Sequence, residues 1–383
     1  MLFSVVIIDL IGFGIMMPVL PFYAKEFGAS ATSLGLLFTV YAAAQFLFAR
    51  AWGRLSDRIG RRRVMLFTIA GTTLALLGLG LARSLVWLFV ARAVGGAFAA
   101  NIGVASAYIA DVTAEKDRTR WMGMLGASFG IGFVLGPAIG GALSPFGYQV
   151  PMLAAAGLAA ANWVHALISL PDPPVRAPSV SDEVLPVSGL REPLLRRLCV
   201  ANFVFSVAVT QLETIFAFFM LDRFGYDARA VAVLLIAMAV LMGGIQGGAM
   251  KRLAARWSER SLAIAGSALL ALGFLALPAA HSVALLLVPL ALCAVGRAIL
   301  QPALMSMASF AASAQARGTA MGTFQASASL ARVLGPLAAG WLYDREHAAP
   351  FVFAGALLVT VALQARALPG RGPVAFEPPL AEV

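Results

Sequence analysis

Three ionisable side chains stand inside otherwise apolar stretches: Asp9 near the start, Arg92 in LFVARAVGGAFAAN and Glu213 in TQLETIFAFF. Each stretch is about 20 residues long, enough to cross a bilayer as a helix. Asp9 lies about eight residues, roughly 12 Å, along its helix, near the middle of the apolar layer. Hydrocarbon disfavours the ionised carboxylate, so the group is suited to take up and release protons near neutral pH. Two plainer readings stand beside this one: a permanently ionised partner of an arginine, or an N-terminal cap. Arg92 persists within a span only if it is paired or hydrated. Approaching Asp9, it would expel the carboxylate's proton, making the two an acid–base switch; the alternative is a structural ion pair. Glu213, beside Gln211, suits a cationic or hydrogen-bonding ligand or a second proton, unless it packs against Arg297 or Arg332. The amides of Asn101, Gln301 and Gln325 could also face a ligand, with Phe203, Phe205, Phe216 and Phe219 as aromatic walls. Phenylalanines in such a chain more often pack or face lipid.

These side chains need a membrane scaffold to position them. With 61% hydrophobic residues, 12% charged residues and a mean hydropathy of +0.88, the chain of 383 residues does not read as soluble domains. Twelve apolar spans can be counted: 2–23, 33–53, 64–82, 85–109, 121–143, 150–170, 197–221, 229–250, 261–280, 283–308, 318–343 and 349–368. The alternation of a β-barrel is absent, so the spans are helices and the chain an all-α membrane protein. The first span lacks a basic leader and a cleavage site and contains Asp9, so it is expected to be retained. Because the chain begins almost inside that span, a few preceding native residues are expected.

Between the second and third spans lies GRLSDRIGRRR, Gly53 to Arg63, with five arginines. Arginine is retained on the cytoplasmic side, so this turn faces the cytoplasm, and counting outward places both termini there. Only Lys25, Arg83, Arg223, Arg229 and Arg345 fall on the opposite side. The net charge of +10 therefore reports membrane orientation, with no nucleic acid implied. Cys199 and Cys293 lie inside spans, and neither a disulfide framework, a zinc-ligand pattern nor a P-loop is readable. His165 is the one histidine within a span and reads as packing.

The polar stretch 171–197 divides the spans six and six, as a cytoplasmic linker between bundles at 1–170 and 198–368, with a cytoplasmic tail at 369–383. The halves echo each other. GFVLGPAIGGAL at Gly132 overlays ARVLGPLAAGWL at Ala331, and RLSDRIGRR at Arg54 overlays RLAARWSER at Arg252, at nearly one offset. Such duplication is common in transporters. Ala255 replaces Asp57 in the second copy, so the copies differ in role.

Four motifs in order carry a resemblance covering nearly the whole chain. GRLSDRIGRRR resembles the loop motif of the major facilitator superfamily. LFVARAVGGAFAAN resembles its arginine motif in the fourth helix, with Gly95 where glutamine is usual. GIGFVLGPAIGG, Gly130 to Gly141, contains its exporter-associated G-x-x-x-G-P-x-x-G-G, and DLIGFGIMMPVLP, Asp9 to Pro21, is similar to the first helix of tetracycline-type pumps.

The resemblance implies two pseudo-symmetric six-helix bundles that rock around a central cavity, and a proton-driven exporter of small amphipathic compounds. It also implies that Asp57 docks against the start of the eleventh helix, near Gly318 and Thr319, latching the cytoplasmic side with Arg58 and Asp111. A helix N-terminus, carrying about half a positive charge, favours such a carboxylate. Gly132, Gly136 and Gly140 on the fifth helix, with Pro137 as a bend, and Gly243, Gly244, Gly247 and Gly248 on the eighth, offer smooth faces for sliding between the halves, or equally for static packing. The expected protein is a monomer in a bacterial inner membrane, coupled to H+ without another cofactor, and no nucleophile–base pair marks an enzyme. A metabolite or sugar transporter on the same fold is the alternative, and a non-transporting receptor the alternative of another class.

Overall fold

The computed structural model describes residues 1–113, 115–171, 192–311 and 317–368. Most of the expected linker and the whole of the expected tail lie outside the described residues. The described residues form fifteen α-helices: α1 (Leu2–Met16), α2 (Leu20–Glu26), α3 (Ala31–Ile59), α4 (Arg61–Gly80), α5 (Leu85–Phe98), α6 (Asn101–Val112), α7 (Glu115–Leu143), α8 (Gln149–Ser169), α9 (Pro193–Phe224), α10 (Ala228–Gly244), α11 (Met250–Arg256), α12 (Glu259–Ala276), α13 (Val283–Phe310), α14 (Arg317–Arg345) and α15 (Ala349–Arg366). Among the described residues there is no strand. Among the described residues ten helical spans are long and apolar enough to cross a membrane, and the bent pair α1 and α2 makes an eleventh. The twelfth expected span, 318–343, is the 29-residue α14.

Local chemistry explains where the helices start and bend. Ser30, Ser84, Ser258 and Ser282 each accept a hydrogen bond from the backbone amide three residues on, capping α3, α5, α12 and α13. Pro18, which lacks an amide donor, sits at the 41° bend between α1 and α2. Gly60, at φ +100°, takes a conformation other residues rarely adopt and separates α3 from α4.

Besides the bent first span, two further expected spans are not single regular helices. The fourth breaks between Phe98 and Asn101, and the eighth passes through a π-helical stretch at Ile245–Ala249 before α11. Non-helical backbone at membrane depth requires other partners for its carbonyls. Here Gln45 Nε2 donates to Ala99 O at 2.9 Å and Trp52 Nε1 to Ala97 O at 2.6 Å, both from α3.

The helices cluster into two compact units. The first takes the helices up to α8 together with Glu213–Ala239 and Pro336–Arg345. Its α1 and α7 touch backbone to backbone: a Cβ on Gly136 would fall on Gly14, one on Gly132 on Leu10, and one on Gly140 on the Ile15 carbonyl. The glycine face of the fifth span is therefore packed against α1 of its own half, not free for sliding. The adjacent Gly141 is the residue that faces α10, at Ala232. Gly243, Gly244, Gly247 and Gly248 have open space where a Cβ would project.

The second unit takes α9 up to Leu212, Val240–Gly335 and α15. Glycines again set its closest contact, with Gly266 and Gly296 bringing α12 and α13 together.

Candidate functional site

The break in the fourth span occurs where α1 carries its carboxylate. Asn101 is the first residue of α6 and is buried, and its Nδ2 donates to Asp9 Oδ1 at 2.9 Å. The Asn101 Oδ1 is buried without a partner. The pair thus presents one neutral amide, with a spare acceptor, to a half-buried carboxylate. An amide can serve both protonation states: its N–H groups donate to the carboxylate, and its oxygen can accept from the carboxylic acid. The structure therefore makes Asn101 the partner of Asp9, a role the sequence reading did not give it.

Arg92 is placed elsewhere. It is 2% exposed and lies over the Tyr41 ring at 3.9 Å and the Phe38 ring at 5.5 Å, with Nη1 on Met16 Sδ at 3.3 Å and Nε without a partner. Met16 is seven residues beyond Asp9, roughly 10 Å along α1. In this state Arg92 and Asp9 do not form an ion pair; aromatic faces of α3 compensate the guanidinium instead. Of the other titratable groups around α1, His165 on α8 meets Ser4 Oγ at 2.8 Å and the Tyr108 hydroxyl on α6 donates to Pro171 O at 2.5 Å.

The second-half residues divide in two. Glu213, Gln301 and Gln325 are exposed. Gln211, expected at the cavity, is fully buried, and its Nε2 donates to Val207 O and Gly335 O at 3.1 Å each. It holds α9 to α14, because the missing side chain of Gly335 lets Thr210 and Gln211 approach that backbone. Phe205, Phe216 and Phe219 are likewise buried in packing.

In the basic turn, Asp57 pairs with Arg61, not with its neighbour Arg58, which is exposed. Arg61 also holds Asp111 at 2.8 Å and Ser56 Oγ at 2.6 Å. The left-handed Gly60 turns α4 back so that its first residue, four after Asp57, meets both carboxylates. Arg61, not the expected Arg58, is thus the arginine that joins Asp57 to Asp111. Among the described residues no group of three His, Cys, Asp or Glu is arranged to hold a metal ion.

A helical chain whose apolar spans are long enough to cross a bilayer and carry ionisable and amide side chains at membrane depth is a polytopic membrane protein. The chain belongs to the Major Facilitator Superfamily, whose family model matches residues 2–257 and 248–380. It is 32% identical to the class D tetracycline resistance protein of Salmonella ordonez, over 90% of this chain and 89% of that one. To the class E tetracycline resistance protein of Escherichia coli it is 34% identical, over 89% and 86%. The crystal structure of the human organic anion transporter MFSD10 (TETRAN) superposes with a TM-score of 0.72 at 25% identity, covering 95% of this chain and 97% of that one.

Proposed function

We propose that this chain is a proton-coupled exporter of small amphipathic compounds, tetracycline-like molecules among them, working by alternating access. It does so as a monomer in a bacterial inner membrane, with the basic turn and both termini in the cytoplasm, and without a nucleic-acid partner or enzymatic activity. Its working halves are the bundles 1–170 and 198–368, joined by 171–197.

The observation that carries this reading is Asp9 held at mid-span by the neutral Asn101, while Arg92 is stacked on Tyr41. A carboxylate already neutralised by arginine would have little use for a proton. One partnered by an amide can exist in either state, and the change of charge between states alters the cost of exposing α1 to the cavity. Proton entry neutralises Asp9 and favours the return to the state that collects drug from the cytoplasm. Glu213, Gln301 and Gln325 supply polar contacts to the substrate, and the similarity to tetracycline resistance proteins supports its class.

Flux panels test the substrate class. Sealed vesicles holding the natural chain should export tetracycline-like drugs with accompanying proton movement, and should be indifferent to sugars and common metabolites. Sugar flux without drug flux would assign the chain to metabolite transport.

A further inference from the structure

Arg332 stands near the middle of the 29-residue α14 and is exposed. Its Nη2 donates to Ser329 Oγ at 3.1 Å, a bond within its own helix. A guanidinium carries five N–H donors and stays charged at physiological pH, so this bond uses little of its capacity. Its own unit does not neutralise it. The described carboxylates of the second unit are Glu192, Glu259 and Glu346, all at helix ends. The charges near the middle of that unit's spans are both positive: Arg332 and, on α13, Arg297, one turn before the exposed Gln301.

The periodicity of α14 shows which way Arg332 faces. Helix positions three or four apart share a face, and α14 has three. Phe324, Ala331, Gly335 and Ala339 are buried. Leu330, Leu334, Leu337 and Trp341 form an exposed apolar stripe, suited to lipid. Gln325, Ser329 and Arg332 lie nearly opposite that stripe, at about 100° per residue, and their face continues into Pro336 and Gly340. There it meets protein: a Cβ on Gly340 would fall on the Ala31 carbonyl, and one on Gly35 on the Pro336 carbonyl. Beyond them both oxygens of Asp344 accept backbone amides of α3, from Ala31 at 3.0 Å and from Thr32 at 2.8 Å. These contacts lie inside the first unit. An arginine is costly in hydrocarbon, and the polar face of α14 is the one turned away from its lipid stripe.

We propose that Arg332, with Gln325 and Ser329 on the same face of α14, holds a negatively charged group of the substrate, and that the compounds exported are therefore amphipathic organic acids. The shape of the group selects the ligand. A guanidinium edge presents two parallel N–H groups, which match the two oxygens of a carboxylate or of an ionised β-dicarbonyl enol. Tetracycline-like molecules carry an enol of that kind, whereas a neutral or cationic amphiphile gives the arginine no counter-charge. Ser329, by accepting from Nη2, steadies the plane of the guanidinium, and the Gln325 amide, two turns earlier, suits a hydroxyl or carbonyl of the same ligand. This rests on the exporter reading above and deepens it by giving the charge of the substrate.

The test is binding to the purified full chain in detergent, without a membrane or a gradient. Equilibrium dialysis with naphthylacetate, naphthylethanol and naphthylethylamine compares one aromatic body carrying an anionic, a neutral and a cationic group at neutral pH. The natural chain should hold the acid about tenfold more tightly than the alcohol or the amine, as hydrogen bonds to a charged group allow. Arg332→Gln should abolish that preference by weakening the acid alone. Arg332→Lys, which keeps the charge without the fork, should retain part of it. Arg256→Gln, at an exposed position ending α11, should leave it unchanged. If Arg332→Gln does not fold, Arg332→Lys decides: it should weaken the acid several-fold and the alcohol not at all. Equal binding of the three probes, no binding of the acid, or a preference for the amine overturns the proposal, as does an unchanged affinity for the acid in folded Arg332→Gln or in Arg332→Lys. Proton coupling and uphill export do not enter this measurement, so vesicle flux and the role of Arg332 stand or fall separately.

Discussion

At the residue scale the account turns on the partner of Asp9. A hydrogen bond to an ionised group contributes about 1.5–3 kcal/mol, so removing it changes the balance between protonation states by about tenfold or more. Asn101→Leu should therefore reduce proton-driven export about tenfold. Asn101→Gln, which keeps the amide, should reduce it less; initial rates at a fixed imposed gradient measure both. Asp344 carries a pH signature. Burial works against its ionised form, but hydrogen bonds from Thr32, Ala31 and Ser30 outweigh this and hold its carboxyl below the usual range. A lowered carboxylate contributes its stability above the unfolded-state value and loses it as pH falls through the folded-state one. The difference in melting temperature between the natural chain and Asp344→Asn should thus be constant from pH 8 to 5 and shrink only below about pH 4. Asp9, Arg92 and Asn101 were legible in the sequence as polar residues in apolar surroundings. Which of them would be neighbours was not. The choice depends on the break at Phe98–Asn101 and on the aromatic faces of α3, and neither leaves a mark beside Asp9 in the chain.

At the element scale, glycine content was legible and its use was not, because a small-residue stripe looks the same whether it packs or slides. The contacts separate the cases. Gly136→Val places atoms on the backbone of Gly14, and overpacking of this kind costs about 1–3 kcal/mol, so the melting temperature should fall. Gly247→Ala meets nothing, and replacing a helical glycine by alanine should be neutral or stabilising by up to about 1 kcal/mol. Thermal unfolding of the two in one detergent tests the contrast. The basic turn gives a second comparison. Arg61→Gln leaves Asp57 and Asp111 without their shared cation, whereas Arg58→Gln removes an exposed charge, so the first should cost markedly more stability and transport. Spacing alone favours neither arginine; the left-handed Gly60, whose φ is a property of the folded turn, selects Arg61.

At the scale of the whole molecule, span count was legible because hydrocarbon imposes length and apolarity on every crossing. The breaks in the fourth and eighth spans were not, since apolar composition continues through both and side chains of another helix satisfy the carbonyls of the first. Contacts such as Asp344 with Ala31 join residues more than three hundred apart in the chain and lie beyond any local pattern. The duplicated halves and the unequal aspartates, Asp57 against Ala255, already indicated that the two copies differ in role. The central claim is that a proton on Asp9 drives drug uphill, and it is tested most directly by tetracycline accumulation in sealed, everted vesicles of the natural chain and of Asp9→Asn under the same imposed pH gradient. The natural chain should concentrate drug and collapse part of the gradient, while the variant should only equilibrate drug across the membrane. Uphill accumulation by Asp9→Asn equal to that of the natural chain would contradict the account.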